Sequence, residues 1–410
     1  MTDPDRAVVI TGIGLATALG LGRDATWAAI HAGRSGAAWI EGPGFDPGHA
    51  GYPIAWPTPT ALDLDPAHRL LDLLADEALA DAGFDGADPR FDPDRAAALI
   101  GLSKGGVRSL ARLHEMIRAG SSDDAAMARA WSDSWPGAGA SRVAHRLGFG
   151  GPCVGPVAAC ATGLVAVLQA ADLLRRGACD IALAGGADAS IEPIVLGAFR
   201  KMKALARIDG DPSSAIRPWD RDRSGFLVGE GGAILVLERL DSARRRGVVP
   251  YAEVAGGALG ADAHHETALD PDPANLAGVI RRALRDARVD PSEIDAAHVH
   301  GTATAINDPL ECRALRLALG PHADRVACSA SKPQIGHLLG AAGSAELALA
   351  ALSVRDGFAP PTLNLDHPDP ACDLDGTPGA GRSLPIRAAL KLSLGFGGHL
   401  AVAVLRRVEG

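Results

Sequence analysis

Gly155-Pro-Val-Ala-Ala-Cys160-Ala-Thr162-Gly-Leu164 joins an apolar segment to an apolar helix, and the rest of the chain is read outward from it. The helix is expected over residues 162–176, stopped by Gly177, a residue suited to the left-handed position after a last turn. Leu164, Val165, Val167, Leu168, Leu173 and Leu174 cover more than one of its faces, so it is expected deep in the core. A thiol at the mouth of such a helix meets unpaired N–H groups and the positive end of the macrodipole. Both favour thiolate, the nucleophilic form. A free cysteine alone is more often a small buried hydrophobe, so Cys160 needs support from elsewhere.

Short apolar runs alternate with helical stretches on both sides of Cys160, the pattern of an α/β protein with buried strands. Strands are expected over 7–13, 97–102, 181–184 and 233–237, then over 252–256, 297–300, 326–329, 390–394 and 401–405. Further helices over 276–288 and 311–319 read as amphipathic and peripheral. The Pro-, Gly- and Asp-rich segment 357–385 reads as a long surface excursion. The strand–helix series restarts near 248–251, so a pseudo-repeat boundary is placed there, dividing the chain into 1–250 and 251–410. No short-period repeat is present, which argues against a solenoid.

A chain of 410 residues, 47% hydrophobic and 22% charged, has the balance of an ordinary globular protein. Its net charge of −9 argues against a general nucleic-acid or anionic-membrane surface. Six cysteines without a Cys-x-x-Cys pair weaken any zinc reading, and no metal is expected. Residues 1–6 run straight into the first apolar stretch, no run is long enough to cross a bilayer, and a cytoplasmic protein with reduced thiols is expected.

Downstream lie His298-Val-His300-Gly-Thr302-Ala-Thr304 and Ser331-Lys332-Pro-Gln-Ile-Gly-His337-Leu-Leu-Gly-Ala-Ala-Gly-Ser-Ala-Glu346, and the chain closes with Gly395-Phe396-Gly397-Gly398-His399. His300 and His337 are each expected to end a strand, and each precedes small residues. In an α/β sheet, groups at the carboxyl ends of strands meet at one edge, where active sites form. With Val-Ile-Thr-Gly-Ile-Gly14, Arg217-Pro-Trp-Asp220, Gly225-Phe-Leu-Val-Gly229-Glu230 and Pro360-Pro-Thr-Leu-Asn364, the chain resembles along its whole length the elongating β-ketoacyl-acyl carrier protein synthases. These are the condensing enzymes of fatty-acid and type II polyketide synthesis.

The resemblance implies a thiolase fold, two similar α/β halves in a five-layered αβαβα core, usually a homodimer. It implies that Cys160 takes an acyl chain from the carrier's phosphopantetheine, with the Cys160 and Phe396 N–H groups as oxyanion hole. His300 and His337 then hold the enolate of decarboxylated malonyl-carrier protein, Lys332 pairs with Glu346, Thr302 and Thr304 hold pantetheine amides, and Phe396 gates the acyl cavity. The expected partner is an acyl carrier protein, with a chain-length-factor-like homologue as a second possible subunit. No cofactor of the enzyme's own is implied, because the carrier's phosphopantetheine supplies the thiol.

Arg200-Lys201-Met-Lys203-Ala-Leu-Ala-Arg207 resembles the docking region for the acidic carrier, whereas the usual second basic patch, here Leu62-Asp-Leu-Asp-Pro-Ala-His-Arg69, is mostly acidic. Lys104 stands where relatives have an apolar lining residue of the acyl pocket, with Trp131 and Trp135 as further walls. For Lys104 the solvent orientation is preferred. Relatives carry Asn, Ser and Asn at three positions held here by His298, Lys391 and Leu400, and in some these side chains, with the matching glutamate, surround a monovalent cation. The expectation is that the Lys391 ammonium takes that place and pairs with Glu346, against an ordinary edge-strand lysine.

Four rivals fail on particular residues. A chain-length factor has the fold without the nucleophile, degradative thiolases close their site with a second cysteine, and initiating synthases use asparagine in place of the second histidine. Gly12-Ile-Gly14-Leu-Ala-Thr17 lacks the third glycine of a dinucleotide fingerprint.

Overall fold

The computed structural model describes residues 7–45, 47–56, 64–84 and 91–409. Among the described residues the main sheet has eleven strands; apart from the short strand Gly20–Leu21 paired with the end of the first, they are β1 (Val8–Thr17), β2 (Ala96–Gly101), β3 (Cys153–Val154), β4 (Ile181–Asp188), β5 (Gly231–Arg239), β6 (Ala252–Ala261), β7 (Ile294–His298), β8 (Ala327–Ser329), β9 (Ala388–Gly395) and β10 (His399–Arg406). Their spatial order is β3-β2-β4-β5-β1-β6-β10-β9-β7-β8. Counted within each half, both run 3-2-4-5-1 from the outer edge inward, and the two first strands meet through Val9↔Glu253 and Ile10↔Ala252. The fold is thus a duplication about a central seam.

Five helices make the remaining layers: α1 (Pro66–Asp81), α2 (Thr162–Arg175), α3 (Ala274–Ala287), α4 (Asn307–Leu319) and α5 (Ala342–Asp356). Alternate residues of each strand face alternate layers, as the period of two demands. On β10, Ala401, Ala403 and Leu405 face a central core with α2 and α5, whereas Leu400, Val402 and Val404 face an outer core with α3 and α4. On the other half, Ala96, Ala98 and Ile100 face α1. Helix, sheet, helix pair, sheet and helix pair give the αβαβα stack.

The central helices are apolar on all sides because both are enclosed by sheet and by each other. They cross at glycine: a Cβ on Gly163 would lie 2.8 Å from the Ser344 nitrogen, and one on Gly343 would lie 2.6 Å from the Leu164 nitrogen. No side chain fits there.

Two expectations need correction. β7 ends at His298, so His300 lies beyond the strand, because the His300 and Gly301 N–H groups bond to the Glu311 carboxylate rather than continuing a ladder. Segment 357–385 is not a surface excursion. Residues 359–362, Leu365, Cys372 and Thr377 are buried, and the Asn364 amide donates to the Ser213 and Ile216 carbonyls at 2.8 Å. Among the described residues, no helix is long and apolar enough to cross a membrane.

Candidate active site

Cys160 sits in the single 3-10 turn Ala159–Ala161 that leads into α2. The turn is entered through Ala159 with φ of 46°, a left-handed value that lifts the next residue out of the helix path. The thiol is 9% exposed. Burial pushes its pKa up to about 11, outweighing the attraction of the Lys104 and Lys332 ammonium groups. Burial thus works against the thiolate that the helix end is expected to favour.

A cavity of about 460 Å³ opens onto Cys160 and is lined by His300, His337, Thr302, Thr304 and Phe396 among others. The two imidazoles meet edge to face with centroids 5.4 Å apart. His337 Nδ1 accepts the Leu339 N–H at 3.3 Å, which leaves the proton on Nε2. Burial, then the positive charge of Lys332, hold both histidines well below the ordinary imidazole value. Both are neutral N–H donors at pH 7.

Thr302 and Thr304 share a hydroxyl–hydroxyl hydrogen bond of 3.1 Å at the cavity wall. Gly395 lies against the Cys160 turn, where a Cβ would come 3.1 Å from the Cys160 nitrogen. That brings Phe396 beside the thiol, with Gly397 (φ 83°) and Gly398 (φ 77°) after it in conformations that favour glycine.

Behind the histidines, Lys332 is fully buried, donates to the His300 carbonyl and bonds to Glu346 Oε1 at 2.6 Å. Lys391 is also fully buried, on the interior strand β9, with its ammonium 2.7 Å from Glu346 Oε2 and a further bond to the Leu392 carbonyl. The edge-strand reading of Lys391 fails, and the pairing with Glu346 holds. Burial raises the Glu346 pKa, and the two lysines more than offset this, leaving it below the ordinary glutamate value.

Lys104 does not point to solvent. Its ammonium donates to Asp188 Oδ2 at 2.8 Å and to Ser103 Oγ at 2.9 Å, because a buried carboxylate draws the nearest cation. Trp131 and Trp135 line no cavity with Cys160. They are 53% and 50% exposed and stack edge to face on one another at 6.1 Å; only Ala130 of the helix Asp124–Asp133 that carries Trp131 is buried, and Trp135 lies just past its end. Arg200, Lys201, Lys203 and Arg207 lie on the surface, and Lys203 and Met202 reach the cavity mouth. Of the acidic stretch 62–69, Leu62 and Asp63 lie outside the described residues.

The sequence reading passed over Glu311. Its carboxylate accepts the N–H groups of His300 at 2.6 Å and Gly301 at 2.7 Å, and the Asn307 amide at 2.7 Å. Burial raises its pKa to about 7. The available signal was an acidic residue at an inward position of α4, followed by apolar Leu315, Ala318 and Leu319.

The family described as Beta-ketoacyl synthase matches by its N-terminal domain over residues 54–243 and by its C-terminal domain over 251–366. The chain belongs to the β-ketoacyl synthase family. It is a β-ketoacyl-acyl carrier protein synthase, an acyltransferase-type condensing enzyme. It is 37% identical to the tetracenomycin polyketide synthase ketoacyl synthase alpha subunit of Streptomyces glaucescens, over 98% of this chain and 97% of that protein. It is 34% identical to 3-oxoacyl-[acyl-carrier-protein] synthase 2 of Coxiella burnetii, over 98% and 99%. A type II polyketide ketosynthase solved with its acyl carrier protein and a bound hexaketide superimposes with a TM-score of 0.90 at 31% identity, covering 98% of this chain and 100% of that one.

Proposed function

We propose that Cys160 is the acyl-carrying nucleophile and that His300 and His337 hold the enolate in a decarboxylative Claisen condensation. The observation that carries this is the convergence of one thiol and two neutral imidazoles on one cavity. The Cys160 sulfur attacks the thioester carbonyl of an acyl-carrier protein. The carbon–sulfur bond to pantetheine breaks, and that thiol leaves with the proton given up by Cys160. The Cys160 and Phe396 N–H groups stabilise the oxyanion.

Malonyl-carrier protein then loses carbon dioxide, and the electron pair of the broken carbon–carbon bond goes to the thioester oxygen. The His337 Nε2 proton and an N–H of His300 meet that oxygen. The enolate carbon attacks the acyl carbonyl, the Cys160 sulfur departs and takes a proton from solvent water, and 3-ketoacyl-carrier protein leaves. Thr302 and Thr304 hold the pantetheine arm at the cavity wall. Phosphopantetheine arrives with the carrier, which docks at Arg200, Lys201, Lys203 and Arg207. A cytoplasmic setting and a division of the chain at 250/251 belong to the same reading.

A dimer is part of the proposal. β3 ends the sheet with exposed Cys153 and Val154, and the exposed rings of Trp131 and Trp135 lie on the same flank, since the Pro136–Gly137 backbone packs against Gly155. Exposed strand edges and clustered aromatics fit a partner of the same fold. The second reading, a polyketide ketosynthase subunit paired with a chain-length-factor-like homologue, is favoured by the same patch and by kinship to an alpha subunit.

Intact-mass measurement after incubation with carrier proteins bearing acyl chains of different length tests the chemistry. The wild type is expected to gain the acyl mass and Cys160→Ala to gain none. Acylation of the Cys160→Ala protein would refute the covalent route. Light scattering of the purified chain separates a homodimer from a subunit awaiting its partner.

A further inference from the structure

One feature of the buried network exceeds what the reaction steps above require. Glu346 needs one cation and has two, Lys332 on Oε1 and Lys391 on Oε2. The neutral histidines add no charge and the next carboxylate, Glu311, lies at longer range, so the immediate surroundings of Glu346 hold two lysines to one carboxylate, with burial working against the Lys391 ammonium. Burying an ammonium is costly, and a second one beside a carboxylate already paired needs a compensating use.

Its place in the fold indicates that use. Lys391 lies on β9 in register with His298 of β7, two residues before His300. The groups facing it are Glu346 on α5, Lys332 on the short helix Lys332–Ile335, His298 on β7 and, at longer range, Glu311 on α4. Among the described residues the His298 Nε2 has no hydrogen-bond partner, Lys391 included. With Oε2 held by Lys391, Oε1 remains fixed on Lys332, and Lys332 stays on the His300 carbonyl. The chain of contacts ends at an imidazole that meets the developing enolate.

We propose that Lys391 is a positioning residue, a built-in cation that locks Glu346 and Lys332 behind His300 and gives the decarboxylation step its positive field. The proposal rests on the reading of the site given above. It concerns malonyl decarboxylation, which is read separately from acylation of Cys160, so failure of one leaves the other standing.

The test compares wild type, Lys391→Ser and Lys391→Met in decarboxylation of malonyl-acyl carrier protein. Each is assayed with potassium, ammonium or a bulky quaternary ammonium as the cation at constant ionic strength. The wild type is expected to keep its rate within about twofold in all three, as a site with its cation covalently attached must. Both variants are expected to fall about 10- to 100-fold, the usual cost of removing an outer partner of a working group. Lys391→Ser leaves a space next to Glu346 and the Leu392 carbonyl, and ammonium or potassium is expected to restore most of its rate. Lys391→Met fills that space with an uncharged chain and is not restored.

A structural role alone would lower the melting temperature of both variants without any cation response. That outcome, a variant as fast as the wild type, or a wild type that itself needs potassium overturns the proposal. The wild-type arm stands even where a variant fails to fold.

Discussion

Residues 159–164 and 339–344 follow one path in the two halves: a left-handed residue (Ala159, φ 46°; Leu339, φ 47°), a single 3-10 turn, and then a buried central helix. The second position of the turn is Cys160 in one half and Gly340 in the other. Gly340 has no room for a side chain, because a Cβ would lie 2.5 Å from the Ser103 Cβ and 3.0 Å from its nitrogen. The second turn has another task. Its Leu339 N–H is given to His337 Nδ1 and sets the tautomer of that ring. Duplication supplied two equivalent turns, of which one carries Cys160 and the other sets the tautomer of His337.

The largest expected effect follows from that division. Cys160→Ala should lower condensation at least about a thousandfold, as loss of a covalent nucleophile does. Adding Gly340→Cys to the same chain should restore nothing and should lower the melting temperature, because the new side chain meets Ser103. Product mass spectrometry and thermal unfolding check both points. Recovery of activity in the double variant would break the comparison.

A second expectation concerns the seam where the halves meet. Gly163→Ala should cost about 1–3 kcal/mol, since the obstacle is the Ser344 backbone rather than a movable side chain. Gly343→Ala should behave alike, because it meets the Leu164 backbone from the other side. Gly197, in the helix Pro193–Lys201, has nothing within 4 Å of its added Cβ, so Gly197→Ala should be neutral or stabilise by about 0.5–1 kcal/mol. Denaturant unfolding of the three variants would show whether the clash or mere loss of glycine sets the cost.

The sequence makes some of this visible and hides the rest for definite reasons. The main strands showed as short apolar runs because both faces of the sheet are covered, and the motif order along the chain carried the family. The end of β7 was misplaced because a run of residues cannot show that backbone N–H groups turn to a carboxylate eleven positions on, as His300 does to Glu311. Lys104 was sent to solvent because its partner Asp188 is distant in the chain. Trp131 and Trp135 looked inward because aromatic residues usually do, yet they mark an outer flank. Lys391 was legible through the resemblance, since it replaces one of the residues that surround a cation beside the matching glutamate in some relatives. Local pattern shows elements, while contacts between distant residues decide which way a polar side chain turns.

The smallest effect concerns the surroundings of the nucleophile. Burial raises the Cys160 pKa from its ordinary 9.0 to about 11, so the folded protein holds that proton longer than the unfolded chain does. Below pH 9 both states are protonated at this site and it contributes no pH dependence. Between 9 and about 11 the unfolded chain releases the proton first, so this group makes stability fall as pH rises. Alkylation of Cys160 by iodoacetamide, followed by peptide mass spectrometry, should therefore climb from pH 7 to pH 10 without levelling off. Lys104 opposes the rise through its charge, as Lys332 does to a smaller extent. Lys104→Met should slow alkylation at every pH in that range by less than about tenfold, as a partly solvated charge at a distance does. A plateau below pH 9 would mean that the helix end outweighs burial, reversing the balance between the two influences on this sulfur.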